Sequence, residues 1–182
     1  MRFTEKILVY AHMMKTAGTS FAKKLIYTYG RNLYSVPGRL SLNAPPFSVS
    51  ELQNELVKRK TKLSCITGHP VRPFVNFEKY EQNLEWVTFV RDPKKRFVSH
   101  FLHDKYLRPS HFRHVSGERS VIDWTFKYNE SNYQTKFVAG ELNVNKAIDI
   151  LEEKFKFVGV TEQFENSLKL FASSKGMKRF DS

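Results

Sequence analysis

The chain has a single cysteine, Cys65, in 182 residues. One thiol excludes a disulfide framework within the chain and points to a reducing compartment. No apolar run approaches the roughly 18 residues that a membrane span needs, and no signal peptide precedes the first apolar segment. The expectation is therefore a cytoplasmic protein with no membrane span. Internal repeats, low-complexity tracts and a dividing linker are also lacking, which leaves one domain over residues 1–182. Acidic residues are scarce: 18 Asp and Glu face 30 Lys and Arg, for a net charge of +12. That excess excludes no anion by itself. It predicts nucleic acid, anionic lipid, a nucleotide or an acidic polysaccharide as partner, against the plainer reading of charge as solubility. What is present is a core: 41% hydrophobic residues and 16 phenylalanines, enough for a folded domain that buries roughly 70% of its unfolded surface.

Apolar runs alternate with helical patterns along the chain. Residues 5–12 (EKILVYAH), 63–67 (LSCIT), 85–90 (EWVTFV) and 156–160 (KFVGV) read as strands. Helices are expected over Thr19–Tyr29, from Ser50 and Glu51 to Arg59, from Asp92-Pro93 to about Tyr106, over 120–128, 131–139 and 143–154, and from about Glu162 to Ser173. Asp92 before Pro93 suits an N-cap followed by proline at the first helical position. In that helix Phe97, Val98, Phe101 and Leu102 are expected to face the sheet. Residues 30–49 carry Gly30, Pro37, Gly38, Pro45 and Pro46 and read as an irregular excursion. Trp86 and Trp124 read as core. The alternation predicts an α/β fold, a central parallel sheet flanked by helices on both faces.

Residues 12–21 read HMMKTAGTSF. A lysine, a small-residue turn and hydroxyl side chains stand where the first strand hands over to a helix, the layout of a loop that grips phosphate or sulfate. Backbone N–H groups of Thr16–Thr19 and the positive helix end would face the anion, with Lys15 adding a full charge. The hydroxyls of Thr16, Thr19 and Ser20 would add donors. In a nucleotide triphosphatase loop the lysine follows the glycines; here it precedes Gly18. In a parallel sheet, ligands sit beyond the carboxyl ends of the strands. Three strands end in reactive residues, Lys15, His69 and Arg91, which would collect at one edge.

KTAGTSF resembles the 5′-phosphosulfate loop of sulfotransferases that use 3′-phosphoadenosine 5′-phosphosulfate (PAPS), and FVRDPKKRFVSHF resembles their 3′-phosphate segment. The chain resembles the heparan sulfate 2-O- and 6-O-sulfotransferases and their bacterial relatives. VGVTEQFENSLKLF and NYQTKFVAG resemble later blocks of that group. The resemblance implies a P-loop-like three-layer sandwich and a sulfotransferase that takes PAPS as donor and releases 3′,5′-diphosphoadenosine (PAP), without a metal. It implies that Lys15, Thr16, Ala17, Gly18, Thr19 and Ser20 hold the 5′-phosphosulfate, while Arg91 and Ser99 hold the 3′-phosphate. Ala17 stands where the family commonly has glycine, a modest change if φ stays below zero.

Sulfuryl transfer by in-line displacement needs a base at the acceptor hydroxyl and a cation at the leaving oxygen. Lys15 fits the second task. His69, in a Gly68-His69 step that resembles the base position of the 2-O and 6-O enzymes, fits the first. Other branches place a glutamate base after the first helix, but residues 30–50 hold no Asp or Glu. The acceptor implied is a hydroxyl compound, a glycan first of all and in some cases an anionic one, and nucleic acid is not the expected partner. Asn132, Gln134 and Lys136 are implied to face the cofactor or acceptor. The His100/His103 and His111/His114 spacings invite a metal reading that no Cys or further ligand supports. With Arg108, Arg113 and Arg119 these histidines are expected to form a wall facing an acidic acceptor. Two other readings stay open: a kinase-like phosphoryl transferase on the same architecture, and a non-catalytic basic module that binds polyanions.

Overall fold

The computed structural model describes residues 6–38, 41–59, 62–107, 120–127 and 131–177. Five parallel strands, β1 (Ile7–Ala11), β2 (Leu33–Ser35), β3 (Cys65–Gly68), β4 (Leu84–Val90) and β5 (Phe155–Val160), form one sheet in the order β2-β3-β1-β4-β5. The helices are α1 (Gly18–Tyr29), α2 (Val49–Lys58), α3 (Pro93–Leu107), α4 (Ser120–Lys127), α5 (Tyr133–Ala139), α6 (Val144–Lys154) and α7 (Phe164–Lys175). This is the α/β sandwich expected from the alternation of patterns.

All five residues of β1 are buried, because the strand is central and covered on both sides. Its side chains alternate between two cores. Ile7, Val9 and Ala11 pack with Ile66, Trp86, Leu52 and Leu56 and with Phe137 of α5. Leu8 and Tyr10 pack with Phe21 and Leu25 of α1, Val87, Phe89 and Phe171 of α7. Trp86 and Trp124 are both fully buried, as their reading as core requires.

Three local expectations need correction. The stretch 30–49 is not wholly irregular: Leu33–Ser35 pairs with Cys65–Thr67 as the edge strand β2. α2 opens before the expected Ser50, at Val49, and its cap is Ser48. Its hydroxyl accepts from the Glu51 N–H at 3.2 Å, while the Glu51 carboxylate accepts from the Ser48 N–H at 2.9 Å, a reciprocal box that satisfies two end donors at once. The third concerns α3. Asp92 does cap it, accepting from the Lys95 N–H at 2.9 Å. Yet Val98 and Leu102 are 51% and 41% exposed, and the buried positions are Arg96, His100 and Asp104.

Those three share one helix face by their spacing of four. Burial of such groups requires partners, and other helices supply them. The Arg96 guanidinium lies 4.3 Å from the centre of the Tyr133 ring of α5. The Asp104 carboxylate accepts from the Trp124 indole N–H of α4 at 3.2 Å and stands 3.3 Å from His103 Nδ1. Phe97, His100 and Phe101 meet the Trp124 ring edge-on at 5.1–5.7 Å. A polar network therefore docks α3 against α4 and α5.

Candidate active site

Register decides the site. Ala11 pairs with both Gly68 and Thr88, so the residues after β1, β3 and β4 emerge side by side at one sheet edge. Thr88 Oγ1 donates to the Ala11 carbonyl at 2.8 Å and pins the end of β1 to β4. A cleft of about 350 Å³ opens above that edge. The turn before α1 lines it with Lys15, Ala17, Gly18, Thr19 and Ser20, β3 contributes His69, β4 contributes Arg91, and α3 contributes Ser99 with His100 and His103. Of the residues expected to hold the donor or act as base, all line this cleft except Thr16.

Thr16 is fully buried, and its hydroxyl donates to the Met13 carbonyl at 3.1 Å. It braces the turn from within, so the hydroxyl expected to add a donor for the anion is held by that carbonyl instead. Ala17 also departs from expectation. Its φ is +61°, and that of Lys15 is +66°, where a Cβ costs about 1–2 kcal/mol. The two left-handed residues fold the chain sharply enough for α1 to start at Gly18. Ser20 N–H reaches the Ala17 carbonyl at 3.2 Å. The N–H groups of Gly18 and Thr19 stand in the first helical turn, where no intrahelical acceptor exists. They and the positive end of the helix dipole are groups that an anion could meet at this turn.

Arg91 is fixed from three sides. Its backbone N–H donates to Gln134 Oε1 at 2.9 Å, and Gln134 Nε2 donates to its carbonyl at 2.7 Å. Its Nη1 donates to the Lys15 carbonyl at 3.1 Å, and Glu162 Oε1 lies 3.7 Å from Nε. The guanidinium thus bridges the β4 end to the anion turn. Gln134 acts through the Arg91 backbone and, with Asn132, borders a different hollow between α3 and α5. Lys136 donates to Ser131 Oγ at 3.3 Å and does not line the cleft. His111, His114, Arg108, Arg113 and Arg119 lie outside the described residues. Among the described residues, no three His, Cys, Asp or Glu side chains converge as a metal site, and no helix is long and apolar enough to cross a membrane.

His69 Nδ1 lies 2.7 Å from the His12 carbonyl. A carbonyl only accepts, so the neutral imidazole carries its proton on Nδ1 and its lone pair on Nε2. The His12 ring itself stands 4.2 Å from the His69 ring and stacks at 5.2 Å on Tyr10. Burial, and then the neighbouring His69, push the His12 pKa down to about 3, so His12 stays neutral. Two glycines make room. A Cβ on Gly18 would stand 2.0 Å from His12 Nε2, and one on Gly68, whose φ is +151°, would stand 2.8 Å from the Val36 carbonyl. Sequence reasoning missed His12, which it left inside the first strand. The available signal was its placement: two histidines each follow the last residue of adjacent strands.

The sequence model of the Sulfotransferase family matches residues 2–141, which hold the anion turn, His69 and the Arg91–Ser99 segment. The chain belongs to the sulfotransferase family. No curated protein matches this sulfotransferase significantly. The matched span includes four of the five strands.

Proposed function

We propose that this sulfotransferase moves a sulfuryl group from PAPS to an acceptor hydroxyl, with His69 as general base. The observation that carries the reading is a cleft that joins an anion turn, two cations and a histidine whose tautomer leaves Nε2 basic. The donor would supply a terminal sulfuryl group activated on its 5′-phosphate, with a separate phosphate on the ribose 3′ oxygen, and the residues present fit both anionic ends. Lys15 and the Gly18 and Thr19 N–H groups suit the 5′ end, and Arg91 with Ser99 suits the 3′-phosphate. Each charge-assisted hydrogen bond of this kind contributes about 1.5–3 kcal/mol.

Lys15 would stabilise negative charge as it builds on the leaving phosphate oxygen, already in position before reaction. Nε2 of His69 would take the proton of the attacking hydroxyl while Nδ1–H stays bonded to the His12 carbonyl. The ring then shares its new positive charge with that carbonyl dipole. General-base catalysis of this kind contributes typically about 10²–10⁴-fold. The carbohydrate nature of the acceptor is part of the proposal and rests on the resemblance to glycan-modifying members. The test is transfer of labelled sulfate from PAPS across acceptor classes. His69→Ala should lower turnover at least about 100-fold with PAP affinity nearly unchanged, whereas Lys15→Ala should impair both. Undiminished turnover by His69→Ala would remove His69 from the role.

A further inference from the structure

Asp104 is buried on α3 beside the donor cleft, and its two oxygens meet different groups. Oδ2 accepts from the Trp124 indole N–H at 3.2 Å. Oδ1 stands 3.3 Å from His103 Nδ1 and 3.8 Å from His100 Nε2. An ionised carboxylate only accepts, so His103 carries a proton on Nδ1, and its neutral ring keeps the lone pair on Nε2. The His103 side chain is 28% exposed and lines the cleft, and its Nε2 has no partner among the described residues. Ser99 precedes it by four positions, one turn away on the same helix face. Both line the cleft, so an anion that Ser99 holds has His103 for a neighbour.

We propose that His103 makes donor binding proton-linked: its Nε2 takes a proton from solvent as the nucleotide arrives and donates that N–H to the 3′-phosphate, while Asp104 positions the ring. The proposal rests on the donor reading above and adds a contact that neither Arg91 nor Ser99 supplies. A neutral His103 would present its lone pair to the phosphate oxygens, so the contact exists only in the imidazolium form. The groups around the ring decide when that form is favoured. Lys15 from the turn and Arg91 from β4 bring positive charge to the same cleft, and like charges disfavour another. His12 of the cleft stays neutral, and His69 from β3 and His100 from α3 add charge only when protonated. Asp104 supplies negative charge from below, and Trp124 from α4 supplies none. A phosphate entering the cleft adds negative charge on the open side of the ring, which favours the charged form. Trp124 fixes Asp104, and Asp104 fixes Nδ1, so Nε2 is left as the edge that meets the ligand.

The test is calorimetric titration with PAP in two buffers of different ionisation enthalpy, which counts protons taken up, with 5′-AMP as the control that lacks the 3′-phosphate. Near pH 7.5 the wild-type protein should take up roughly half a proton or more per PAP beyond His103→Gln, and no more than that variant on binding 5′-AMP. His103→Gln should weaken PAP binding about tenfold at pH 6, the worth of one charge-assisted hydrogen bond, and by less at pH 8, with 5′-AMP affinity unchanged. His103→Lys carries a fixed charge and should restore PAP affinity without the proton uptake. Asp104→Asn should lower the uptake, a readout that a merely structural carboxylate would not move; unchanged uptake would overturn its positioning role. Equal uptake by wild type and His103→Gln, or equal weakening of PAP and 5′-AMP, would overturn the proton-linked contact and leave the donor reading standing. Failure of PAP itself to bind would overturn both.

Discussion

Replacing His12 by glutamine tests the histidine pair without touching the hydrogen bond that orients His69, because that bond uses the His12 backbone carbonyl. Folding depresses the His12 pKa to about 3, through burial first and the His69 charge second, whereas the unfolded chain titrates near 6.5. The unfolded chain therefore binds the proton first as pH falls. The contribution is fully present above pH about 6.5 and is lost progressively as pH drops from there towards 3. Between pH 7 and pH 5, linkage with those two values gives a loss of about 2 kcal/mol from this one side chain. Urea denaturation of both proteins at the two pH values isolates it. The wild-type protein should lose about 2 kcal/mol more than His12→Gln on going from pH 7 to pH 5. Equal losses would show that His12 protonates as readily folded as unfolded, and a packed, neutral His12 would have to be abandoned.

Gly18→Ala inserts a Cβ 2.0 Å from His12 Nε2. It should lower stability by about 1–3 kcal/mol as the ring is forced aside and should slow sulfate transfer, which denaturation and turnover assays read separately. Gln134→Ala frees both backbone groups of Arg91 that it now holds. It should weaken PAP binding by about tenfold, the equivalent of about 1.4 kcal/mol, while the turn around Gly18 keeps its amide shifts. Unchanged PAP affinity would mean that Arg91 needs no such support.

The strand ends and the anion turn were legible because they obey local rules: an apolar run, a small-residue turn, and a topology that gathers strand tips at one edge. Leu33–Ser35 was not, because three residues between a glycine and a proline carry too little pattern to announce a strand. The buried face of α3 was hidden for a different reason. Its apolar residues suggest one face, but Arg96 and Asp104 gain Tyr133 and Trp124 as partners only once α4 and α5 have docked. Thr16 shows the limit of residue type as a guide. Its hydroxyl matches an anion donor in sequence, and the left-handed residues on either side turn it inward to Met13. Gln134 could be named from the resemblance, but its action through the Arg91 backbone depends on a contact across 43 positions.

Calorimetric titration with PAP in the presence of a chelator tests the central claim most directly. Saturable PAP binding is expected without any divalent cation, at least tenfold tighter than ATP. Arg91→Lys should weaken it at least tenfold, because a lysine cannot meet two phosphate oxygens with a planar fork. Equal affinity for ATP and PAP, or PAP binding indifferent to Arg91, would contradict a cleft built for a 3′-phosphorylated nucleotide.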